Sequence, residues 1–95
     1  MLVSGDSMEP TLHEGDMLLV SYGGRVHPAD VVVVSLPGGR PLSVKRAILR
    51  GAEGWWVEGD CPSRSTDSRQ LGPLPDASVL GRVVLRYWPR PRRLS

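Results

Sequence analysis

The sequence predicts a single domain that is all-β or mainly β, and three observations support this fold class. The 95 residues are enough for one hydrophobic core but too few for two. Eleven glycines and nine prolines interrupt the chain too often for long helices. Apolar residues make up 40% of the chain and charged residues 23%, a balance typical of a packed globular protein rather than a disordered one.

The first three strands are predicted by short apolar runs between turn-forming residues. Residues 17–22 are apolar and β-compatible, and glycine-containing turns flank them on both sides. Residues 31–36 are apolar and mostly β-branched, which indicates a strand buried on both faces. A proline-glycine turn at 37–39 leads to a third strand over about 42–49, so these two strands are expected to form a hairpin.

The second half of the chain contains two further strands and one long loop. Residues 55–58 are aromatic and β-branched, and residues 79–80 and 83–88 continue the apolar alternation. Residues 60–75 lie between them and show neither helix nor strand periodicity. A structureless loop of this length in a compact domain is usually functional or disordered.

Composition restricts the cellular setting and the cofactors. Cys61 is the only cysteine, so no internal disulfide can form, and two histidines do not make a structural zinc pattern. We therefore expect a reducing, cytoplasmic compartment and neither a metal nor another cofactor. The longest apolar runs, at 17–20 and 31–34, are far below the roughly 20 residues that cross a bilayer, so no membrane span is predicted.

The positive charge lies mainly at the C-terminal end. The net charge is +2, and the excess comes from arginines after residue 81. We predict a folded domain over residues 1–89 and a basic, flexible tail over 90–95. Arginines beside Tyr87 and Trp88 leave open a non-catalytic β-module that binds nucleic acid. A solvated end is the favoured interpretation, so no nucleic-acid partner is expected.

The candidate chemistry begins with a serine and a lysine. A serine hydroxyl becomes a good nucleophile only when a base removes its proton. His13 and His27 lack a flanking pattern of acid and nucleophile, and such loop histidines are more often solvated. Lys45 is the only lysine, and a buried lysine can lose its proton whereas an arginine effectively never does. By itself, Lys45 is more often an ordinary solvated strand residue, although some serine hydrolases use lysine as the base.

Ser7 lies in a segment suited to a nucleophile. It stands between the flexible Gly5 and a proline-containing turn, and the adjacent backbone N–H groups could form an oxyanion site. Taken alone, the same segment could be a simple turn capped by Ser7.

Three separated motifs, in the same order, resemble those of type I signal peptidases. They are Gly5-Asp6-Ser7-Met8-Glu9-Pro10-Thr11-Leu12 with Gly15-Asp16, then Val44-Lys45-Arg46-Ala47, then Gly59-Asp60 with Ser65-Thr66-Asp67-Ser68-Arg69. Residues 28–34 also resemble the central strand of that family. The resemblance implies a compact signal peptidase/LexA-like catalytic β-fold.

The resemblance also implies roles for individual residues. Ser7 would be the nucleophile and Lys45 the general base, with Ser65 orienting the lysine amine. The backbone at Gly5 and Ser7 would form the oxyanion site, and Met8 would help line the substrate pocket.

Other implied residues are structural. Asp67 and Arg69 resemble the ion pair of the family, with Asp60 beside them, holding the long loop against the strand of Lys45. Cys61 departs from the pattern, because the family usually has Asn at this position and a thiol loses the hydrogen bonds of the amide.

The compact form most resembles that of bacterial nickel-type superoxide dismutase maturation proteases, which remove a propeptide. The resemblance includes Gly54-Trp55-Trp56-Val57, the block Ser65-Thr66-Asp67-Ser68-Arg69 and the ending Gly81-Arg82-Val83 to Arg86-Tyr87-Trp88-Pro89. No large second β-domain is present between residues 49 and 55, and no transmembrane segment precedes Ser7. The expected function is therefore that of a soluble serine endopeptidase with a Ser/Lys dyad. Its expected partner is a protein precursor, the nickel superoxide dismutase proenzyme.

Two other peptidase classes remain to be weighed. A general signal peptidase I-like enzyme would share the same three motifs. LexA-type self-cleaving repressors share the Ser-Lys chemistry and a related fold. The sequence contains no Ala-Gly dipeptide and no preceding DNA-binding helices, so cleavage of the chain by itself is not expected.

Overall fold

A computed structural model describes residues 1–94 and confirms the mainly β fold class. The strands are β1 (Met17–Tyr22), β2 (Val31–Val34), β3 (Ser43–Gly51), β4 (Gly54–Glu58), β5 (Val79–Trp88) and β6 (Arg92–Arg93). The helical elements are a 3-10 turn at Pro62–Arg64, the helix α1 (Ser68–Leu71) and a 3-10 turn at Asp76–Ser78. Within residues 1–94, no helix has the length and apolar character needed to cross a membrane.

All the strands belong to one antiparallel sheet. Its order is β1-β5-β2-β3-β4, and β6 pairs with β5. The predicted hairpin of β2 and β3 is confirmed, with Val32 paired with Lys45. The strand β1 does not pair with its neighbour in the chain but with β5, which follows the long loop. The first and last parts of the domain are therefore joined side by side.

The central strand β2 carries both halves of the core. Its four valines have no solvent exposure, as the sequence predicts for a strand buried on both faces. Val31 and Val33 pack into a first core with Met8 and Leu12. Val32 and Val34 pack on the opposite face, into a second core. Each buried valine side chain contributes about 1.5–3 kcal/mol relative to exposure, so this strand contributes strongly to the stability of the sheet.

The second core includes β4 and the last part of the long loop. It contains Trp55 and Val57 of β4 together with Leu74. The backbone N–H of Trp55 donates to the carbonyl of Leu74 at 2.8 Å, and the N–H of Leu74 donates back to Trp55 at 2.8 Å. These two hydrogen bonds hold the last part of the loop against β4.

The loop predicted over residues 60–75 is not structureless. It contains the 3-10 turn and α1, and a capping box starts α1. The Asp67 side chain accepts a hydrogen bond from the N–H of Arg69, and the Gln70 side chain accepts one from the N–H of Asp67. A helix of four residues is too short to produce a periodic apolar pattern, which explains why the sequence does not show it.

The flexible tail predicted over residues 90–95 differs from the structure at 92–94. Arg92 and Arg93 pair with β5. The N–H of Leu94 donates to the carbonyl of Val84 at 2.9 Å, and Leu94 packs against the first core. An apolar side chain near the terminus thus anchors this segment to the sheet. Ser95 lies outside the described residues.

Candidate active site

Ser7 lies in a turn that precedes β1 and is anchored from behind. Gly5 has φ of 82°, a conformation that glycine adopts without steric cost. Met8 is only 2% exposed and belongs to the first core. The N–H of Leu12 donates to the carbonyl of Met8 at 2.9 Å. The turn therefore fixes Met8 inside the protein while the partly exposed Ser7 stays at the surface.

The carbonyl of Ser7 is hydrogen-bonded within the described part of the protein, but its N–H and hydroxyl groups are not. The carbonyl of Ser7 accepts a hydrogen bond from the N–H of Cys61 at 2.8 Å. Within residues 1–94, neither the N–H nor the Oγ of Ser7 has a hydrogen-bond partner. The N–H of Gly5, by contrast, donates to the Glu14 carboxylate at 3.4 Å. Of the two predicted oxyanion positions, only the N–H of Ser7 is available to a ligand.

Lys45 lies in β3 and is almost completely buried. It pairs in register with Val32 of the second core, and only 3% of the residue is exposed. Its Nζ donates a hydrogen bond to Ser65 Oγ at 3.1 Å. No carboxylate within residues 1–94 forms a salt bridge with this amine.

Burial sets the protonation state of Lys45. The pKa of Lys45 is lowered below its ordinary value, chiefly because burial removes water from the ammonium form. The negative charge of Asp67 raises the pKa in part, and the positive charge of Arg69 lowers it. At any given pH, burial therefore increases the fraction of the neutral amine, which is the form that accepts a proton.

Ser65 connects Lys45 to a fully buried carboxylate. Its Oγ donates a hydrogen bond to Asp67 Oδ2 at 2.5 Å. Asp67 also accepts hydrogen bonds from the N–H of Gly59 at 2.8 Å and from Arg69 at 2.7 and 3.0 Å. Since the Ser65 hydrogen points at Asp67, a lone pair of the same oxygen is left for the Lys45 amine.

These contacts keep Asp67 ionised. Burial by itself raises the pKa of Asp67, but the hydrogen bonds from Arg69, Ser65 and Gly59 outweigh burial and lower the pKa well below its ordinary range. Asp67 is therefore a fixed negative charge one hydroxyl away from the Lys45 amine.

Asp60 forms a second, separate ion pair. The sequence expectation placed it beside Asp67 and Arg69, but it binds Arg46 with two hydrogen bonds of 3.0 and 2.7 Å. Its carboxylate also accepts a hydrogen bond from Thr11 Oγ1 at 2.5 Å. This cluster ties the segment after the Ser7 turn to β3.

Sequence reasoning did not give Thr11 or Arg46 a role, although both lie within the quoted motifs. The available signal was that Arg46 directly follows Lys45 and that Thr11 lies in the Ser7 motif. The third motif contains two acids, Asp60 and Asp67, and the sequence does not show which of them binds Arg46.

Gly59 is the point where the Ser7 turn and the long loop meet. A Cβ at this position would lie 2.3 Å from Ser65 Oγ and 2.6 Å from the carbonyl oxygen of Ser7. Both separations are far inside normal contact, so only glycine allows this approach. The backbone of Ser7 is thereby packed against the residue that holds the Lys45 amine, although Ser7 Oγ and Lys45 Nζ are not hydrogen-bonded to each other.

Two clefts adjoin these residues. The smaller has a volume of about 30 Å³ and includes Ser7 and Met8 in its lining. The larger has a volume of about 260 Å³ and includes Lys45. The two clefts share three lining residues, which are Ser4, Leu42 and Ser43. A still larger cleft of about 510 Å³ contains none of the predicted site residues, so size alone does not identify the site.

The two histidines lie away from this arrangement. His13 Nδ1 is 2.5 Å from Glu9 Oε1, and His27 Nδ1 is 3.9 Å from Asp30 Oδ2. Both rings are exposed, and neither is hydrogen-bonded to a serine in the described part of the chain. Within residues 1–94, no three His, Cys, Asp or Glu residues are grouped closely enough to hold a metal ion.

Known proteins resemble the chain over nearly its whole length. The Peptidase S24-like family matches residues 1–84, a range that includes every predicted site residue. Mitochondrial inner membrane protease subunit 1 of Xenopus tropicalis is 32% identical, with 94% of this chain and 68% of that protein aligned. The protein of the same name in Schizosaccharomyces pombe is 31% identical over 99% of this chain and 76% of its own length. Thylakoidal processing peptidase 1 of Arabidopsis thaliana is 35% identical over 86% of this chain and 24% of that protein.

Proposed function

Because the chain belongs to the Peptidase S24-like family and is a signal peptidase-like protease, we propose that Ser7 is its nucleophile and Lys45 its general base. The observation that carries this proposal is the buried Lys45 amine. Its pKa is lowered by burial, it has no salt bridge to any of residues 1–94, and it lies in a cleft that adjoins the cleft of Ser7.

The first chemical step forms an acyl-enzyme. The neutral amine of Lys45 removes the hydroxyl proton as Ser7 Oγ attacks the carbonyl carbon of the scissile peptide. The free N–H of Ser7 donates to the negative oxygen that develops on that carbon. The Lys45 ammonium then gives its proton to the leaving amine, and the peptide bond breaks.

The second step releases the acyl group. Lys45, neutral again, removes a proton from a water molecule that attacks the ester, and the proton returns to Ser7 as the acid product leaves. Through both steps Ser65 holds the amine in place. The charge of Asp67, which raises the pKa of Lys45 in part, stabilises the ammonium each time it forms.

The size of the smaller cleft supports a small residue before the cut. Its volume of about 30 Å³ is small, since about 10–15 Å³ of such space already holds one water molecule. A methyl or hydroxymethyl side chain suits so small a space better than a long or branched one. The proposed substrate therefore has Gly, Ala or Ser immediately before the scissile bond.

The proposed physiological reaction is removal of an N-terminal propeptide from the nickel superoxide dismutase proenzyme. The short link between β3 and β4, which consists of Ala52 and Glu53, supports this assignment because the maturation proteases share this compact form. The second candidate is general signal-peptide cleavage, which is favoured by relatives named as inner membrane protease and thylakoidal processing peptidase.

One experiment tests the proposed substrate. The purified chain is incubated with the nickel superoxide dismutase precursor and, separately, with a precursor that carries a signal peptide, and mass spectrometry locates any cut. The wild-type chain is expected to trim the first substrate. Trimming of the second alone would transfer the assignment to general signal peptidase.

The same assay with variants tests the dyad. Ser7→Ala and Lys45→Arg are each expected to lower turnover by about 10³-fold or more, because arginine keeps the charge but cannot accept the proton. Ser35→Ala changes an exposed serine at the end of β2 and should retain wild-type turnover. The wild-type rate should rise with pH until Lys45 is neutral, at a midpoint below the ordinary lysine value of 10.5. Wild-type turnover by either dyad variant would contradict the mechanism.

A further inference from the structure

The cleft of Lys45 contains an arginine that the proposed mechanism does not use. Arg40 lines this cleft of about 260 Å³ together with three hydroxyl-bearing residues, Ser4, Ser43 and Thr66. Among residues 1–94, no carboxylate side chain lines it. The polar side chains of this lining are therefore all hydrogen-bond donors or hydroxyls that can donate.

Arg40 is also free. It is exposed, and within residues 1–94 it has no salt bridge and no hydrogen bond. The other arginines around the site each bind a carboxylate, in the pairs Arg46 with Asp60, Arg69 with Asp67, and Arg64 with Asp6. No acid of the described chain neutralises the charge of Arg40 or occupies its N–H groups, so its guanidinium donors are available to a ligand.

The backbone directs Arg40 to this place. The turn between β2 and β3 contains Gly38 and Gly39, with φ of 87° and 68°, and Arg40 follows it directly. Leu36 and Leu42 flank the turn and line the same cleft. The cleft thus has an apolar wall and a cationic rim, which suits a carboxylate carried on a short aliphatic stem.

The cleft adjoins the smaller one that contains Ser7, and the two share lining residues. In an extended peptide, residues advance by about 3.3 Å, and every second side chain points to the same side. A bound peptide that places one side chain beside Ser7 can therefore place a neighbouring one in the cleft of Arg40.

We infer that Arg40 is a specificity-determining residue that makes this peptidase prefer an acidic side chain, Glu or Asp, within three residues of the scissile bond. This inference rests on the proposed function. The guanidinium binds the carboxylate through paired N–H donors, while the apolar wall contacts the methylene groups. A lysine at the same substrate position meets the charges of Arg40 and of any protonated Lys45, and is disfavoured.

The expected preference is modest because the rim is exposed. Exposed ion pairs are worth up to about 1 kcal/mol, which corresponds to a rate ratio of about fivefold between Glu and Gln substrates. The ratio should decrease as salt is added, since screening weakens exposed charge pairs.

The test uses the intact chain and a peptide set with Ala before the cut. Members of the set carry Glu, Gln or Lys at each of the three positions on either side of the cut, and kcat/KM is measured for each. At one position the Glu peptide should exceed the Gln peptide by about fivefold. Arg40→Ala should bring this ratio close to one, and Arg40→Glu should reverse the order of Glu and Lys peptides. Arg25→Ala removes another exposed arginine, which has no partner among residues 1–94 and lines a different cleft, and it should leave the ratio unchanged.

Equal kcat/KM for Glu and Gln peptides at every position would overturn the inference. A change of the Glu/Gln ratio in Arg25→Ala as large as that in Arg40→Ala would also overturn it, because the effect would then come from net charge alone. Failure to cleave any peptide would instead count against the proposed function. In that case, fluorescence anisotropy of the same labelled peptides on Ser7→Ala decides the inference. Tighter binding of the Glu peptide that is lost on adding Arg40→Ala supports it, and equal affinities overturn it.

Discussion

The base and the nucleophile of this protein are held in opposite ways. Lys45 is 3% exposed inside the sheet, and its amine is joined through Ser65 to the buried Asp67. Ser7 lies outside the sheet in a turn entered through Gly5, and its hydroxyl and N–H have no partner within residues 1–94. The contrast follows from the two chemical roles. A lysine acts as a base only where water is excluded and its pKa is lowered, whereas a nucleophile must be open to the substrate.

Substitutions among the buried groups around Lys45 should therefore destabilise the protein the most. Asp67→Asn removes the charge that binds Arg69 and leaves that guanidinium partly buried without its carboxylate. The expected loss is about 3 kcal/mol in the free energy of unfolding, measured with urea at pH 7. Asp76→Asn removes the acid of an exposed ion pair with Arg50 and should cost much less. Similar losses for the two variants would contradict the contrast.

The ion pair of Asp67 and Arg69 also makes the free energy of unfolding depend on pH, with a definite sign. The pKa of Asp67 is lower in the folded protein than its ordinary value of 3.8. Its contribution to stability is therefore complete above that value and disappears as the pH falls below it. The difference in unfolding free energy between the wild type and Asp67→Asn should shrink between pH 5 and the acid unfolding transition.

A smaller effect is expected at the junction of the two regions. Gly59→Ala forces a methyl group against Ser65 Oγ and the Ser7 carbonyl. Overpacking of this kind costs about 2 kcal/mol, and displacement of the reacting groups should lower kcat by about 100-fold. Gly51→Ala is the matched control, because its Cβ would have no atom within 4 Å. Wild-type kcat in Gly59→Ala would show that the junction does not position the reacting groups.

The smallest effect on stability is expected in the nucleophile turn. Gly5→Ala places a side chain at φ of 82° with no atom within 4 Å of the new Cβ, so backbone strain of about 1 kcal/mol is its only cost. Within residues 1–94 the turn makes no hydrogen bond with the Lys45 amine, so the midpoint of the pH–rate profile should stay at the wild-type value even where kcat falls. A shifted midpoint would mean that the two regions are not independent.

The sequence predicts some levels of this structure better than others. The strands can be predicted from the sequence because β2 is apolar at successive positions and turn residues separate the other apolar runs. The pairing of β1 with β5 cannot be predicted in this way, since it depends on contacts between distant parts of the chain. α1 was hidden for a different reason, because it is set by the caps at Asp67 and Gln70 and not by periodicity.

The candidate site, too, can be predicted from the sequence only in part. Residue types alone singled out Lys45, since a lone lysine among arginines is chemically distinctive. The partner of each acid could not be assigned without coordinates, because Asp60 and Asp67 both have arginines nearby in the chain. The structure separates them, with Asp60 bound to Arg46 and Asp67 bound to Arg69.

The presence of one lysine in the whole chain makes the proposed base spectroscopically unique. Protein produced with lysine labelled with carbon-13 at the ε position carries one labelled site, so its NMR spectrum contains one lysine signal that needs no assignment. The chemical shift of that signal, followed through a titration, reports the ionisation of the buried amine directly and without any substrate.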